Sequence, residues 1–230
     1  MIRRGLSLIV PVHNGENFIK SSIKEYYKTF SEEFFPFEII VVCNACTDNT
    51  EKICNSLSTK LPIKVINVPK KGKGNALIKG FNYARYEIIG FLDADNPYDL
   101  NEIMKMLNYF SMYDMVIVTK FKRFSEYQTS ITRRFFSIAG AIIFKLLFGY
   151  SFKDTQAGAK FMKKELLDKI KKNFICEGFE FDMELLYRAS KLHAQIKEYY
   201  IPPKESDFST VKARILPGLI YRLLKLRLVK

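Results

Sequence analysis

Short runs rich in Ile and Val alternate with longer stretches of helical period through the first half of this chain, and each run ends in a polar cluster. That alternation predicts β-α-β units, an α/β fold and a mainly parallel central sheet. The strand-like runs are 6–12, 37–43, 63–68, 88–92 and 115–119, separated by helical stretches at 16–30, 48–58, 74–83 and 99–110. Beyond Thr119 the alternation weakens. No internal repeat or low-complexity linker divides the chain, so a single domain is expected. Its 230 residues, 48% of them hydrophobic, suffice for a sizeable core and exclude both a stapled miniprotein and a disordered chain.

Four cysteines are too few for a disulfide scaffold. The N-terminus is basic and then apolar, but its apolar run ends in His13-Asn14-Gly15-Glu16 with no small-residue cleavage site, so it reads as a strand and not as a leader. No window offers the roughly 20 uncharged apolar residues of a spanning helix. The nearest, 135–152, is interrupted by Lys145. A cytoplasmic location is expected. The net charge of +13 favours an anionic partner: nucleic acid, an acidic membrane surface or a phosphorylated small molecule.

In an open parallel sheet, ligands bind beyond the carboxyl ends of the strands. Those positions hold His13-Asn14, Asn44 to Asp48, Lys70-Lys71-Gly72-Lys73-Gly74 and Asp93-Ala94-Asp95. Two carboxylates one residue apart suit Mg²⁺ or Mn²⁺ with substrate phosphates as further ligands, although an isolated Asp-X-Asp also occurs in solvated turns. Glycines in the lysine-rich segment permit close backbone approach to phosphate, and a helix starting there aims its positive end at an anion; an exposed turn is the alternative. Cys43 and Cys46 form a Cys-X-X-Cys that admits a redox pair or, with His13, a metal site, against a default of two partly buried thiols.

Taken in order, Leu8-Ile-Val-Pro-Val-His-Asn-Gly-Glu16, Glu38-Ile-Ile-Val-Val-Cys-Asn-Ala-Cys-Thr-Asp-Asn-Thr50, Lys71-Gly-Lys-Gly-Asn-Ala76 and Phe91-Leu-Asp-Ala-Asp95 resemble the family 2 glycosyltransferases of GT-A fold. Asp154-Thr-Gln-Ala-Gly-Ala-Lys160 and Gly178-Phe-Glu-Phe-Asp-Met-Glu-Leu-Leu186 are similar to the polyprenyl (dolichyl) phosphate sugar synthases within it. The resemblance spans about residues 6–212. It implies a single GT-A domain and an inverting transfer of a glucose- or mannose-like sugar from a UDP- or GDP-linked donor to a polyprenyl or dolichyl phosphate. Mg²⁺ or Mn²⁺ would sit on Asp93 and Asp95. Pro11, His13, Glu16, Asp48, Lys73 and Asp93 would line the nucleotide sugar. Asp95 and Asp154 would be catalytic, Asp154 orienting acceptor or sugar with a general-base role as the alternative. Lys120, Arg123, Arg133, Ser137, Ser209 and Lys212 would hold the acceptor phosphate. The chain departs from the family where Cys43-Asn44-Ala45-Cys46 replaces Asp-Asp-Gly-Ser, where His13 replaces Tyr, where Gly15 replaces a common Glu, and where Ala159 replaces Phe.

A helix over 132–148 would be apolar with a narrow basic edge, placing Arg134 and Lys145 about 20° apart. It suits either a core helix or one lying in a headgroup layer, and the resemblance selects the second. From Phe208 onward, six Lys or Arg and no acid alternate with apolar residues, broken by Pro217-Gly218. Residues 1–210 are thus expected to form the catalytic domain, with 131–149 as an interfacial helix and 211–230 as a basic amphipathic tail on the cytoplasmic face of an anionic membrane. The competing readings are a soluble or polysaccharide acceptor, a silent nucleotide-sugar binder, and a basic nucleic-acid binder. The last lacks a recognisable binding motif, so no nucleic acid is expected as partner.

Overall fold

The structure is a computed structural model that describes residues 4–120, 131–204 and 216–228; the side chains of 131–139 and 216–221 fall outside that description. The chain runs β1 (Leu6–Val12), α1 (Ile19–Glu33), β2 (Phe37–Asn44), α2 (Thr50–Ser58), β3 (Ile63–Val68), α3 (Lys73–Phe81) and β4 (Ile88–Leu92). It continues through α4 (Leu100–Leu107), a 3-10 turn (Asn108–Ser111), β5 (Met115–Thr119) and α5 (Ile131–Phe148). The remainder is β6 (Ala159–Lys163), α6 (Lys164–Ile170), α7 (Phe181–Lys191), β7 (Ile196–Tyr200) and α8 (Leu216–Leu228). Two compact units result: Met1–Asn96 with Gly158–Lys172, and Pro97–Ala157 with Asn173–Lys230.

In the first unit the strands lie in the order β3-β2-β1-β4-β6. The first four are parallel, with Leu6 opposite both Phe37 and Ile88, while β6 runs antiparallel to β4. β1, β2 and β4 are covered on both faces, and their side chains are almost all buried. Continuous apolar runs are what such strands require. Chain order reverses between β1 and β4, which creates the crevice where open α/β sheets bind ligands. Pro11 and His13 stand at one side of it and Asp93 at the other.

In the second unit β5 pairs in parallel with β7, Met115 opposite Ile196. Phe144 of α5 is buried against Phe148 and Phe152 (ring centroids 5.1 and 5.7 Å), and Phe148 stacks on Tyr187 of α7 at 4.3 Å. α8 packs on α5, burying Leu223 and Leu226. The side chain of Arg222 adds an ion pair, Nε to Glu180 Oε1 at 2.5 Å.

Several expected boundaries shift for identifiable reasons. α1 begins at Ile19 and not at Glu16, because Gly15 O takes the N–H groups of Phe18 and Ile19 in a turn. α2 begins at Thr50 because Asp48 turns back to accept from the Thr50 N–H. Asp99 caps α4 by accepting from the Asn101 N–H, and the helix tightens into the 3-10 turn at Asn108 instead of continuing to Phe110. Pro217 does not break the tail. It lies in the first turn of α8, where a missing N–H costs nothing.

Candidate active site

The loops after β1 and β2 are laced together. His13 Nδ1 donates to Asn44 O at 2.8 Å, Asn14 and Thr47 exchange hydrogen bonds, and Gly15 N donates to Thr50 Oγ1 at 2.7 Å. Asp48 Oδ2 accepts from Glu16 N at 3.1 Å, and Glu16 Oε2 accepts from Asn49 N at 2.9 Å. Burial alone would raise the Asp48 carboxyl, but hydrogen bonds from Thr50 and the Glu16 N–H outweigh it and hold the group below its usual range. Glu16 and Asp48 thus shape the loop pair that faces the crevice.

Asn44 spends its amide on the neighbouring backbone. Its Nδ2 donates to Lys70 O at 2.8 Å and its Oδ1 accepts from Gly72 N at 2.8 Å. These contacts fix the start of the lysine-glycine segment. Gly72, at φ 145°, takes a conformation that side-chain-bearing residues rarely adopt and leads directly into α3. Lys73, the first helical residue, then reaches Asp93 with Nζ 3.0 Å from Oδ1. The structure thus brings Lys73 and Asp93, both expected to line the nucleotide sugar, into direct contact.

Asp93 sits at the end of β4 with its N–H donating to Gly158 O at 2.9 Å. An added Cβ on Gly158 would lie 1.7 Å from Asp93 Oδ2. The carboxylate therefore rests directly on a glycine, and no larger residue leaves room for it. Tyr26 Oη donates to Asp93 O at 2.6 Å. Lys160 on β6 is fully buried, and its Nζ and that of Lys73 lie 5.5 and 5.3 Å from the centre of the Phe91 ring. Lys73, Lys160 and Asp93 therefore gather at the end of β4, and Asp95 follows two residues beyond Asp93. Carboxylate oxygens from Asp93 and Asp95 are hard donors suited to Mg²⁺ or Mn²⁺. Among the described residues no three His, Cys, Asp or Glu converge on a metal site. Two protein carboxylates plus substrate phosphate oxygens are the set that fits.

Asp154, in the second unit, is 2% exposed; its Oδ1 accepts from Gln156 N at 3.0 Å and its Oδ2 is buried without a hydrogen-bond partner among the described residues. A buried carboxylate oxygen left unpaired is costly and marks a place for a ligand donor. Glu198 of β7 holds this segment by accepting from Lys153 N at 2.7 Å, and burial raises its carboxyl above the ordinary value. Lys120 follows β5 and is half-buried. Arg123, Ser209 and Lys212 lie outside the described residues, as do the side chains of Arg133 and Ser137 in α5.

The cysteines are all free. Cys43 is held as a thiol by its hydrogen bond with Cys54 and by burial, and burial likewise raises Cys46. Neither has the lowered value of a reactive thiolate. Sequence reasoning gave no role to Tyr26, Gly158, Lys160 or Glu198. Gly158 and Lys160 stood inside a quoted motif, whereas Tyr26 and Glu198 carried no signal beyond helix and strand periodicity.

The sequence matches the family described as Glycosyl transferase family 2 over residues 7–171. It is 28% identical over 221 residues to the dolichyl-phosphate beta-glucosyltransferase of Dictyostelium discoideum, covering 89% of this chain and 68% of that one. The Saccharomyces cerevisiae protein of the same name is 26% identical over 234 residues, covering 91% and 70%. Among solved structures, glucosyl-3-phosphoglycerate synthase from Mycobacterium tuberculosis with Mg²⁺ and UDP aligns at a TM-score of 0.72 and 17% identity, covering 98% of this chain and 78% of that one. The same enzyme with Mn²⁺, UDP-glucose and phosphoglyceric acid aligns at 0.71 and 16%, covering 98% and 79%. With the strand-end carboxylates at the switch point of a GT-A sheet and a family match over most of its length, the chain belongs to glycosyl transferase family 2.

Proposed function

We propose that this glycosyltransferase moves a glucose-type sugar, with inversion, from a UDP-linked donor to a polyprenyl or dolichyl phosphate at the cytoplasmic surface of a membrane. The observation that carries the reading is the strand-end carboxylate pair, with Asp93 seated on Gly158 and bridged to Lys73. The names of the relatives support the acceptor. A divalent cation bound by Asp93 and Asp95 would neutralise the donor diphosphate and stabilise the departing nucleoside diphosphate. Lys73 and the N-terminal end of α3 add fixed positive charge to the same phosphates, preorganised by Asn44. A phosphate monoester has its second pKa near ~6, so at neutral pH the acceptor oxygen is already largely ionised. It attacks the anomeric carbon as the bond to the diphosphate breaks, and no strong base is required. Asp154 then orients the sugar or acceptor through its unpartnered oxygen.

No described helix is long and apolar enough to cross a membrane. α5 turns Ala141 and Phe144 inward yet leaves Leu146 75% exposed, and α8 buries Leu223 and Leu226 while Leu228 is 81% exposed. Lys145, Lys225 and Arg227 are exposed beside these leucines. Such helices suit a headgroup layer, each basic residue near an anionic surface contributing about 1 kcal/mol.

Two expected results follow from the assignments. Asp154→Asn lowers kcat by about 10²-fold, the size of one lost transition-state contact, while donor affinity by calorimetry stays near wild type. Lost donor affinity instead would move Asp154 to the nucleotide site. Arg133 and Ser137 stand four apart on α5 and so on one helical face. Arg133→Ala therefore raises the KM for polyprenyl phosphate at least several-fold, as one lost charge-assisted hydrogen bond requires, with the KM for the nucleotide sugar unchanged. An unaltered acceptor KM would transfer the reading to a soluble acceptor.

A further inference from the structure

α1 supplies two consecutive residues to the turn that carries the strand-end carboxylates. Tyr26 is fully buried, and its hydroxyl donates to the Asp93 carbonyl at 2.6 Å. Glu25, on the exposed side of the same helix, accepts from Asn96 Nδ2 at 2.7 Å. Asn96 in turn is buried, holds a left-handed backbone at φ 47°, and donates its own N–H to Asp93 O at 3.2 Å. The turn from Asp93 to Asn96 is therefore gripped at its first carbonyl by Tyr26 and at its last side chain by Glu25. Asp95 lies between the two grips. Asn is one of the few side-chain-bearing residues that enter this left-handed region readily, and the contacts around Asn96 hold it there.

We propose that Glu25 and Tyr26 are positioning residues that hold the Asp93–Asn96 turn in the shape that presents Asp93 and Asp95 together to a divalent cation and a diphosphate. Neither side chain reaches substrate in this account; each acts through the turn. The proposal rests on the donor-site reading given above. If the grip is lost, the two carboxylates no longer converge, whereas contacts to the nucleoside made by the β1 and β2 loops are untouched. The consequence is separable: metal-dependent affinity for UDP falls while metal-independent affinity remains.

Calorimetric titration of UDP into the intact chain, with and without Mn²⁺, tests this directly. For the wild type, Mn²⁺ should tighten UDP. Tyr26→Phe, which removes one hydroxyl, and Glu25→Ala, an exposed helix change that leaves the core intact, should each forfeit at least about five-fold of that gain, with UDP affinity in the absence of Mn²⁺ unchanged. Glu25→Gln keeps an oxygen able to accept from Asn96 and should behave as wild type. A Glu25→Ala variant that keeps the full Mn²⁺ gain would overturn the proposal whatever the fate of Tyr26→Phe. Equal loss of UDP affinity with and without Mn²⁺ would overturn it too, because that is the signature of general destabilisation. A wild-type chain whose UDP affinity ignores Mn²⁺ would instead remove the donor-site reading itself, and the positioning role with it.

Discussion

Asp95→Asn is expected to reduce turnover by about 10³-fold or more while leaving the fold and melting temperature close to wild type. The substitution keeps the size of the side chain and removes its charge. What is lost is electrostatic: the negative oxygen that, with Asp93, would hold a divalent cation against a diphosphate whose charge grows as the sugar bond breaks. Losing one preorganised contact of this kind costs about 10²–10³ in rate, and the loss of the metal with it adds to that. Because the interaction strengthens toward the transition state, kcat should fall more than the donor KM rises. Excess chelator should silence the wild type to the same degree and have little further effect on the variant. Full activity in chelator would remove the cation from the account.

Gly158→Ala should do nearly as much damage from a position with no functional group at all. The added methyl would lie 1.7 Å from Asp93 Oδ2 and 2.2 Å from its Cγ, so the whole carboxylate must leave its place. The backbone cannot yield easily, since Gly158 O holds the Asp93 N–H at 2.9 Å and β6 continues at once into its ladder with β4. Displaced, Asp93 loses its ion pair with Lys73. Overpacking of this sort costs about 1–3 kcal/mol, or a melting point lower by a few degrees. The expected loss of kcat/KM, about 10²-fold, exceeds what that destabilisation explains, because the folded fraction stays high at assay temperature. Thermal melts beside steady-state rates distinguish the two, and a Gly158→Ala chain with wild-type kcat/KM would mean that Asp93 is not needed where it stands.

Much of the first unit was legible because its strands are buried on both faces and so read as unbroken Ile and Val runs. The polar residues that follow each run mark the ligand edge without any structure. β6 and β7 escaped for opposite reasons. β6 reads Ala-Lys-Phe-Met-Lys, and a lysine in a short run suggests a surface, yet Lys160 is fully buried beside Phe91. β7 reads Ile-Lys-Glu-Tyr-Tyr and is only half-buried, so its apolar signal is thin. In the site, Lys73 and Asp93 were visible as charged residues at strand ends. Tyr26 was not, because an aromatic at helical spacing looks like core, which it also is. Gly158 was present in a motif, but only the position of Asp93 explains why it must be glycine.

Passage of a sugar from a nucleotide donor to a lipid phosphate is checked by incubating the purified chain with Mn²⁺, a panel of UDP- and GDP-linked sugars and dolichyl phosphate in anionic liposomes, with the lipid fraction read by mass spectrometry. A new lipid heavier by one hexose is expected, formed best from UDP-glucose and absent with Asp95→Asn. A panel that leaves dolichyl phosphate unchanged while the same donors glycosylate a soluble acceptor would contradict it.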